Sequence, residues 1–383
     1  MNFDFTEEQV ALVDTVRRFV ARDYGFETRR AIRATKSGWS RETWQSLADL
    51  GVLALNIEEE HGGLGYGAVE AGLVMNAFGA GLLLEPYLAA AIVAPALIRR
   101  AASADFQATW LPKIATGEAV IILAHADARG EPVSERDGRL SGRKAVVAHG
   151  GCADLLLVSA RLASGGSGLF AVTPGSAGVT LHSYPTLDGQ PAADLILHDA
   201  PASRILRSAT VGADAAANGT LDATLDATLN AALDTIEAAL DIGLAALCAE
   251  AVGILEATVA ATTDYLKTRQ QFGQPIGRFQ ALQHRMADML LHLEQARSMS
   301  YLAAMHCADE DRTARQRALS AAKVTIGQAC RFIGQNAVQL HGGMGMTDEL
   351  ILSHWFKRLT AIEMSFGDTD MHLQRFARLS RAA

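Results

Sequence analysis

The sequence predicts an α+β protein in which an N-terminal helical domain, a middle β-barrel-like domain and a C-terminal four-helix bundle follow one another. Three observations predict this order. Apolar residues recur at helical spacing up to about Gly117, short β-branched runs spaced roughly ten residues apart fill about Glu118 to Leu206, and helical spacing returns over longer stretches after Ala231. The expected domains are residues 1–117, 118–206 and 207–383, the last opening on an Ala-rich lead-in over 207–235.

The first helix is expected to start at Thr6. A hydroxyl there can cap free amides, and the following Glu7, Glu8 and Gln9 place carboxylates at the positive end of the dipole. Val10, Leu12, Val13, Val16, Phe19 and Val20 mark its expected buried face. A second helix is expected over Arg41–Leu50, with Trp44, Leu47 and Ala48 inward and Gly51 as its stop. Glu58–Gly67, EEEHGGLGYG, reads as a connection between helices, because neither a P-loop lysine nor a strand-then-helix context accompanies its glycines.

The middle region contains AVIILA, KAVVA, DLLLVSA, GLFAV, GVTLH and DLILH, separated by Gly, Pro, Asp and Ser. Such runs predict a small antiparallel β-domain of the barrel or sandwich type. After it comes a short repeat, TLDATLDATLNAALDT, over Thr220–Thr235. Leu221, Leu225, Leu229 and Leu233 fall four apart, so the repeat is either a helical extension with one weak apolar stripe or a flexible linker. Three long periodic segments, roughly Ala231–Thr268, Arg278–Asp309 and Thr313–Leu340, then suit an up-and-down bundle, and a final helix follows Asp370.

Bulk properties exclude several classes. With 383 residues, 49% hydrophobic and 20% charged, the chain can bury a large core, and a net charge of -8 provides no basic field for nucleic acid. Cys152, Cys248, Cys307 and Cys330 lack CxxC spacing, which speaks against a metal site or a disulfide framework and for a reducing compartment. The start MNFDFTEEQ has no basic and apolar leader pattern, and the longest apolar run, around Leu88–Leu97, is too short and too interrupted by proline to span a bilayer. A cytoplasmic protein without a membrane span is expected.

Chemistry concentrates in Tyr265–Met289, YLKTRQQFGQPIGRFQALQHRMADM. Helical spacing runs through Leu233, Ile236, Leu240, Leu244, Leu247, Ile254, Val259 and Leu266, breaks at Gly273, Pro275 and Gly277, and resumes at Phe279, Leu282, Met286 and Leu293. Arg269, Gln271 and Phe272 therefore sit where one helix hands over to another. The Arg269 guanidinium either holds a phosphate bidentately or complements the negative end of the preceding helix.

This stretch resembles the Y-x-x-x-R-x-Q-F-G helix boundary of the acyl-CoA dehydrogenase family. AVQLHGGMGMTDE at Ala337–Glu349 is similar to the family's Q-x-x-G-G-x-G motif, and a C-terminal segment ends in Gln374 and Arg375 as family members do. The resemblance covers essentially the whole chain. Within the family, FTEEQ, GWSRETW and KRLTAIEMSFGDTD are similar to the small subunits of pimeloyl-CoA dehydrogenases.

The resemblance implies FAD as cofactor, an acyl-CoA substrate, electron-transfer flavoprotein as electron acceptor, and a homotetramer or a heterotetramer with a homologous subunit. Arg269 and Phe272 would meet the pyrophosphate and adenine side of an FAD whose ring lies in a neighbouring subunit; Gln339, Gly342 and Gly343 would approach the same cofactor. Arginine offers a planar fork to a diphosphate, and glycine permits close backbone approach. The same glycines also read as a helix C-terminal cap.

The family reaction removes an α-proton while hydride leaves the β-carbon, so it requires a carboxylate and donors on the thioester oxygen. Counting seven residues back from Arg375 places Asp368 where the family carries a glutamate base. The same residue also reads as a cap of the last helix. The base position that some relatives use, before the R-x-Q-F-G motif, falls at Gly243. Two stretches of the β-domain, Leu123–Pro132 and Lys144–Gly150, correspond to family loops that touch the flavin ring, but Val146 replaces the tryptophan and Ala148 the hydroxyl residue. Three roles follow: an acyl-CoA dehydrogenase using Asp368, a non-catalytic partner that clasps a homologue's FAD, or an oxidase or nitroalkane-oxidase-like flavoenzyme on the same scaffold.

Overall fold

Thr6 opens the first helix with a reciprocal cap: its hydroxyl accepts the Gln9 N–H at 3.2 Å, and Gln9 Oε1 accepts the Thr6 N–H at 2.9 Å. The architecture that follows comes from a computed structural model describing residues 5–163, 165–205 and 221–381. Six helices come first: α1 (Glu7–Arg22), α2 (Phe26–Arg33), α3 (Arg41–Asp49), α4 (Ala68–Gly81), α5 (Ala94–Ala101) and α6 (Ala104–Ala115). Eight strands follow: β1 (Ile121–Ala124), β2 (Ser134–Arg136), β3 (Arg139–Ala148), β4 (Leu155–Leu162), β5 (Ser167–Val172), β6 (Val179–Pro185), β7 (Pro191–Pro201) and β8 (Ser203–Arg204). Then come α7 (Leu221–Thr268), the two-residue strands β9 (Gln270–Gln271) and β10 (Gln274–Pro275), α8 (Gln280–His306), α9 (Arg312–His341), α10 (Ile351–Met364) and α11 (Thr369–Arg381).

Two compact units result. One combines the chain up to Ala34, Gly67–Leu84 and the chain from Asp241; the other combines Thr35–Tyr66 with Glu85–Leu240. In the first, α9 packs against α8, α10 and α11. Helices α4 and α7 meet backbone to backbone, since a Cβ on Gly79 would stand 2.2 Å from the Glu250 carbonyl oxygen and one on Gly253 1.9 Å from that of Asn76. Desolvated pairs tie the bundle: Arg358 forks onto Glu250 at 2.6 and 2.8 Å, and Arg315 meets Asp241 at 2.8 Å. Val10 is a correction to the expected α1 face, because it is exposed while Val16 and Phe19 are buried. Six residues separate Val10 from Val16, about 120° round the helix.

In the second unit the strands form one sheet in the order β6-β7-β3-β2-β4-β5-β8, with β1 beside β4. All six expected runs lie in strands, and the pairings are antiparallel except for β1 with β4 and β2 with β4, which are parallel. The long β3–β7 ladder shifts register between Lys144 and Val147. This bulge turns Val146 outward at a left-handed φ of 51°.

The backbone of the Thr220–Thr235 repeat is helical from Leu221, as the start of α7. Thr220 and the side chains of Leu221, Leu225 and Leu229 lie outside the described residues. α7 also carries an apolar stretch, Ala232–Thr268, longer than the Leu88–Leu97 run, and its most apolar window is 83% buried, as a core helix requires.

Candidate functional site

Helix α7 hands over to α8 through a hairpin. Gln270–Gln271 pairs antiparallel with Gln274–Pro275, and the two residues between, Phe272 and Gly273, have φ of 55° and 77°. That is the mirror-image turn which matches strand twist, and it suits Gly273 but strains Phe272. The Phe272 ring is 89% exposed, and Phe279 lies against it edge-on at 5.9 Å. The backbone of Arg269 is pinned, its N–H donating to the Tyr265 carbonyl at 2.8 Å and its carbonyl accepting from Ile276 at 2.9 Å. Its exposed guanidinium has no hydrogen-bond or ion-pair partner among the described residues. Arginine and ring project from the hairpin, and the described residues leave the guanidinium unpaired.

The second motif ends α9 beside this hairpin. Tyr265 stacks on His341 with centroids 4.3 Å apart, so the two motifs singled out in the sequence meet. His341 Nδ1 lies 2.8 Å from the Ala337 carbonyl oxygen, and burial lowers the pKa of the ring. Gly342 has a φ of 60°, and its N–H donates to Gln339, which makes it a helix cap. Gln339, Gly342 and Gly343 are exposed, and a Cβ on either glycine would meet nothing within 4 Å. Capping and open approach hold together.

Asp368 follows α10 in a loop with two consecutive left-handed residues, Phe366 at φ 57° and Gly367 at φ 98°. Buried groups hold this loop from within. Lys323 Nζ donates to the carbonyls of Glu363 at 2.7 Å and Gly367 at 2.8 Å, and His372 Nε2 lies 3.0 Å from the Phe366 carbonyl oxygen. Glu363 Oε1 accepts from the Thr369 hydroxyl at 2.8 Å and from Arg331 at 3.2 Å. Asp368 itself is exposed and caps α11, its Oδ1 accepting the Met371 N–H at 2.7 Å.

Trans peptide geometry adds a consequence. The Phe366 and Gly367 carbonyls point inward, so the N–H groups of Gly367 and Asp368 point outward, and neither has a partner among the described residues. Two free donors therefore stand beside a carboxylate, the pairing that proton abstraction next to a carbonyl requires. Sequence reasoning found Asp368 but missed Lys323, which reaches the loop across 40 and 44 residues of sequence, and His372 and Glu363, which bond to it from six residues away once the chain has turned. The one local signal was Gly367 directly before a capping aspartate.

In the sheet unit, Val146 is 61% exposed and donates its N–H to Asp194 at 3.1 Å; Ala148 is exposed and brings no hydroxyl. Between the two lies the core. Lys144, also missed, is buried and holds the Leu123–Pro132 stretch through Asp127 at 2.6 Å and the His125 carbonyl at 2.8 Å, while its third bond goes to Ser159 of β4 at 3.0 Å. Burial lowers its pKa, and Asp127 opposes that.

Comparison with known proteins supplies the wider frame. The acyl-CoA dehydrogenase N-terminal domain model matches residues 6–118, and the acyl-CoA dehydrogenase C-terminal domain model matches residues 233–380. Acyl-CoA dehydrogenase FadE27 of Mycobacterium tuberculosis is 28% identical over 391 residues, covering 98% of each chain. A solved structure described as a Tcur3481-Tcur3483 steroid ACAD variant is 26% identical with a TM-score of 0.84, over 98% of both chains. The ChsE4-ChsE5 complex from Mycobacterium tuberculosis shares the fold at 24% identity, with a TM-score of 0.86 over the full length of both.

Proposed function

The chain belongs to the acyl-CoA dehydrogenase family, and on that premise we propose that it serves FAD-dependent α,β-dehydrogenation of an acyl-CoA thioester within an oligomer whose cofactor sites are shared between subunits. One observation carries this reading: an Arg269 guanidinium unpaired among the described residues and an exposed, strained Phe272 beside two open glycines. These residues fit the tail of FAD. Arg269 would hold the diphosphate, Phe272 would lie against the adenine side, and Gln339, Gly342 and Gly343 would line the approach. Lys323 and Gln339 are 16 residues apart on α9, about 24 Å along its axis. Clasp and carboxylate thus occupy separate points of one chain, which suits a cofactor reaching across a subunit boundary.

Bound FAD supplies the hydride acceptor. The chain's own contribution is proton chemistry: Asp368 Oδ2, free of the helix cap, takes the α-proton while the outward N–H groups of Gly367 and Asp368 bind the thioester oxygen on which negative charge develops. Electrons would pass from the flavin to an electron-transfer flavoprotein.

A second reading has an observation of its own. Val146 and Ala148 stand where family members place a tryptophan and a hydroxyl residue, and a two-component name, Tcur3481-Tcur3483, belongs to a structure 26% identical to this chain. On this reading the chain is the FAD-clasping partner of a homologous catalytic subunit. A visible spectrum of the purified chain, alone and co-purified with a homologous neighbour, tests both. A yellow chain that bleaches anaerobically with acyl-CoA supports the first reading, and colour only in the complex supports the second. A colourless chain that neither FAD nor a partner reconstitutes overturns both.

A further inference from the structure

Lys323 is 1% exposed in the middle of α9, yet no carboxylate pairs with it among the described residues. Its two acceptors are backbone carbonyls, those of Glu363 and Gly367, and its neighbours include Cys248 and Cys330, whose buried thiols stay protonated because burial raises their pKa. The Glu363 and Asp368 carboxylates act on the ammonium only through space, and burying it without a direct ion pair costs stability that an apolar side chain of the same length would not cost. The fold accepts that cost at the one place where both donors grip the segment ahead of Asp368.

That segment needs a grip. Phe366 and Gly367 are both left-handed, and the φ of 57° is strained for Phe366, so the turn holds only where its surroundings fix it. The Gly367–Asp368 peptide plane is fixed on one side only, by Lys323 Nζ on the Gly367 oxygen at 2.8 Å. Rotation of that plane would swing the Asp368 N–H away from the face it shares with its own carboxylate. His372 does the same for the preceding plane through the Phe366 oxygen.

We propose that Lys323 is a positioning residue for the Asp368 site: by anchoring the Glu363 and Gly367 carbonyls it sets the peptide plane whose N–H and the carboxylate must act together. This rests on the reading of Asp368 as base, but the backbone anchoring is measurable without it. Lys323→Met keeps the stem and removes both donors. Expected are unchanged or higher thermal stability, faster amide hydrogen exchange confined to Ser365–Met371 in the FAD-free chain, and a fall in kcat of about 10²-fold with KM moved less than about threefold.

A merely structural lysine would instead lower stability and speed exchange throughout the bundle, which overturns the proposal, as does unchanged exchange at Ser365–Met371. Lys323→Gln, which retains an amide donor, should lie between wild type and Lys323→Met. It also decides the matter if Lys323→Met fails to fold; failure of both variants to fold makes the amine a core element and overturns the proposal. Should the wild-type protein reduce no flavin with any acyl-CoA, the functional reading falls, and the exchange measurement still decides the role of Lys323.

Discussion

Two places in the molecule use the same backbone device to opposite ends. At the α7–α8 hairpin, Phe272 and Gly273 are left-handed in succession; before α11, Phe366 and Gly367 are as well. The first tip is held by its own two-residue ladder, and its ring stands in solvent. Lys323, His372 and Glu363 anchor the second from beneath. Strain that the chain itself restrains marks a preorganised site, whereas strain left exposed marks a surface awaiting something from outside. On the proposed function the loop would act, and the hairpin would serve a cofactor or another subunit.

The sharpest way to break that contrast is Asp368→Asn. Asparagine caps a helix as well as aspartate, so stability should change by less than ~0.5 kcal/mol. As a base it is useless, and anaerobic flavin bleaching should slow by about 10²–10⁴-fold in stopped-flow measurements. An unchanged rate would reduce Asp368 to a cap and leave the clasp as the chain's sole contribution to the chemistry.

Acid should loosen the loop and spare the hairpin. His372 is fully buried, and burial, with Arg375 and Lys323 nearby, pushes its pKa down to about 4 despite the Phe366 carbonyl. A depressed histidine pKa means that the unfolded chain takes the proton first. Stability from the neutral ring is therefore complete above about pH 6.5 and is lost as pH falls from there to about 4, up to ~3 kcal/mol in all. Denaturation midpoints across that range should fall in wild type and fall less in His372→Gln.

How much of this the sequence disclosed follows from the range of each interaction. The Thr6 cap, the six strand runs and the helix break at Gly273 are local, and each was legible. Helix α2 was not, because FETRRAIR shows only two strong apolar residues, Phe26 and Ile32, and beside Ile32 its buried anchor is Arg29, which bonds the Leu82 carbonyl at 2.8 Å and lies 3.0 Å from His354 Nδ1. An arginine used as a core residue has no signature in periodicity. Lys144 and Lys323 escaped for the same reason, since lysine is read as surface unless its partners are known. Arg269, Phe272, Gln339, Gly342 and Gly343 were visible as motifs, but it takes the contacts of Tyr265 with His341 to show that the two motifs adjoin.

Arg269→Ala probes the other half of the comparison. With no partner to lose among the described residues, the free chain should keep its stability within ~0.5 kcal/mol. A charge-assisted contact to a diphosphate is worth ~2 kcal/mol, so FAD retention should weaken on the order of 30-fold by equilibrium titration. Equal losses in both assays would make Arg269 a helix-end charge and nothing more.

The smallest effect is the most diagnostic because its sign depends on the state measured. Phe272→Gly relieves a left-handed residue, a gain of ~1–2 kcal/mol, partly offset by ~0.5–1 kcal/mol of added freedom in the unfolded chain. Little packing is forfeited, since the ring is 89% exposed and touches Phe279 edge-on. The free chain should therefore melt slightly higher than wild type. In the FAD-bearing assembly the same change removes the ring that would lie against the cofactor, so FAD content and assembly stability should fall. A residue that destabilises its own monomer and stabilises the loaded complex is kept for the complex. If Phe272→Gly lowers the melting temperature of the free chain, the ring is doing its work within this chain, and the contrast between hairpin and loop collapses.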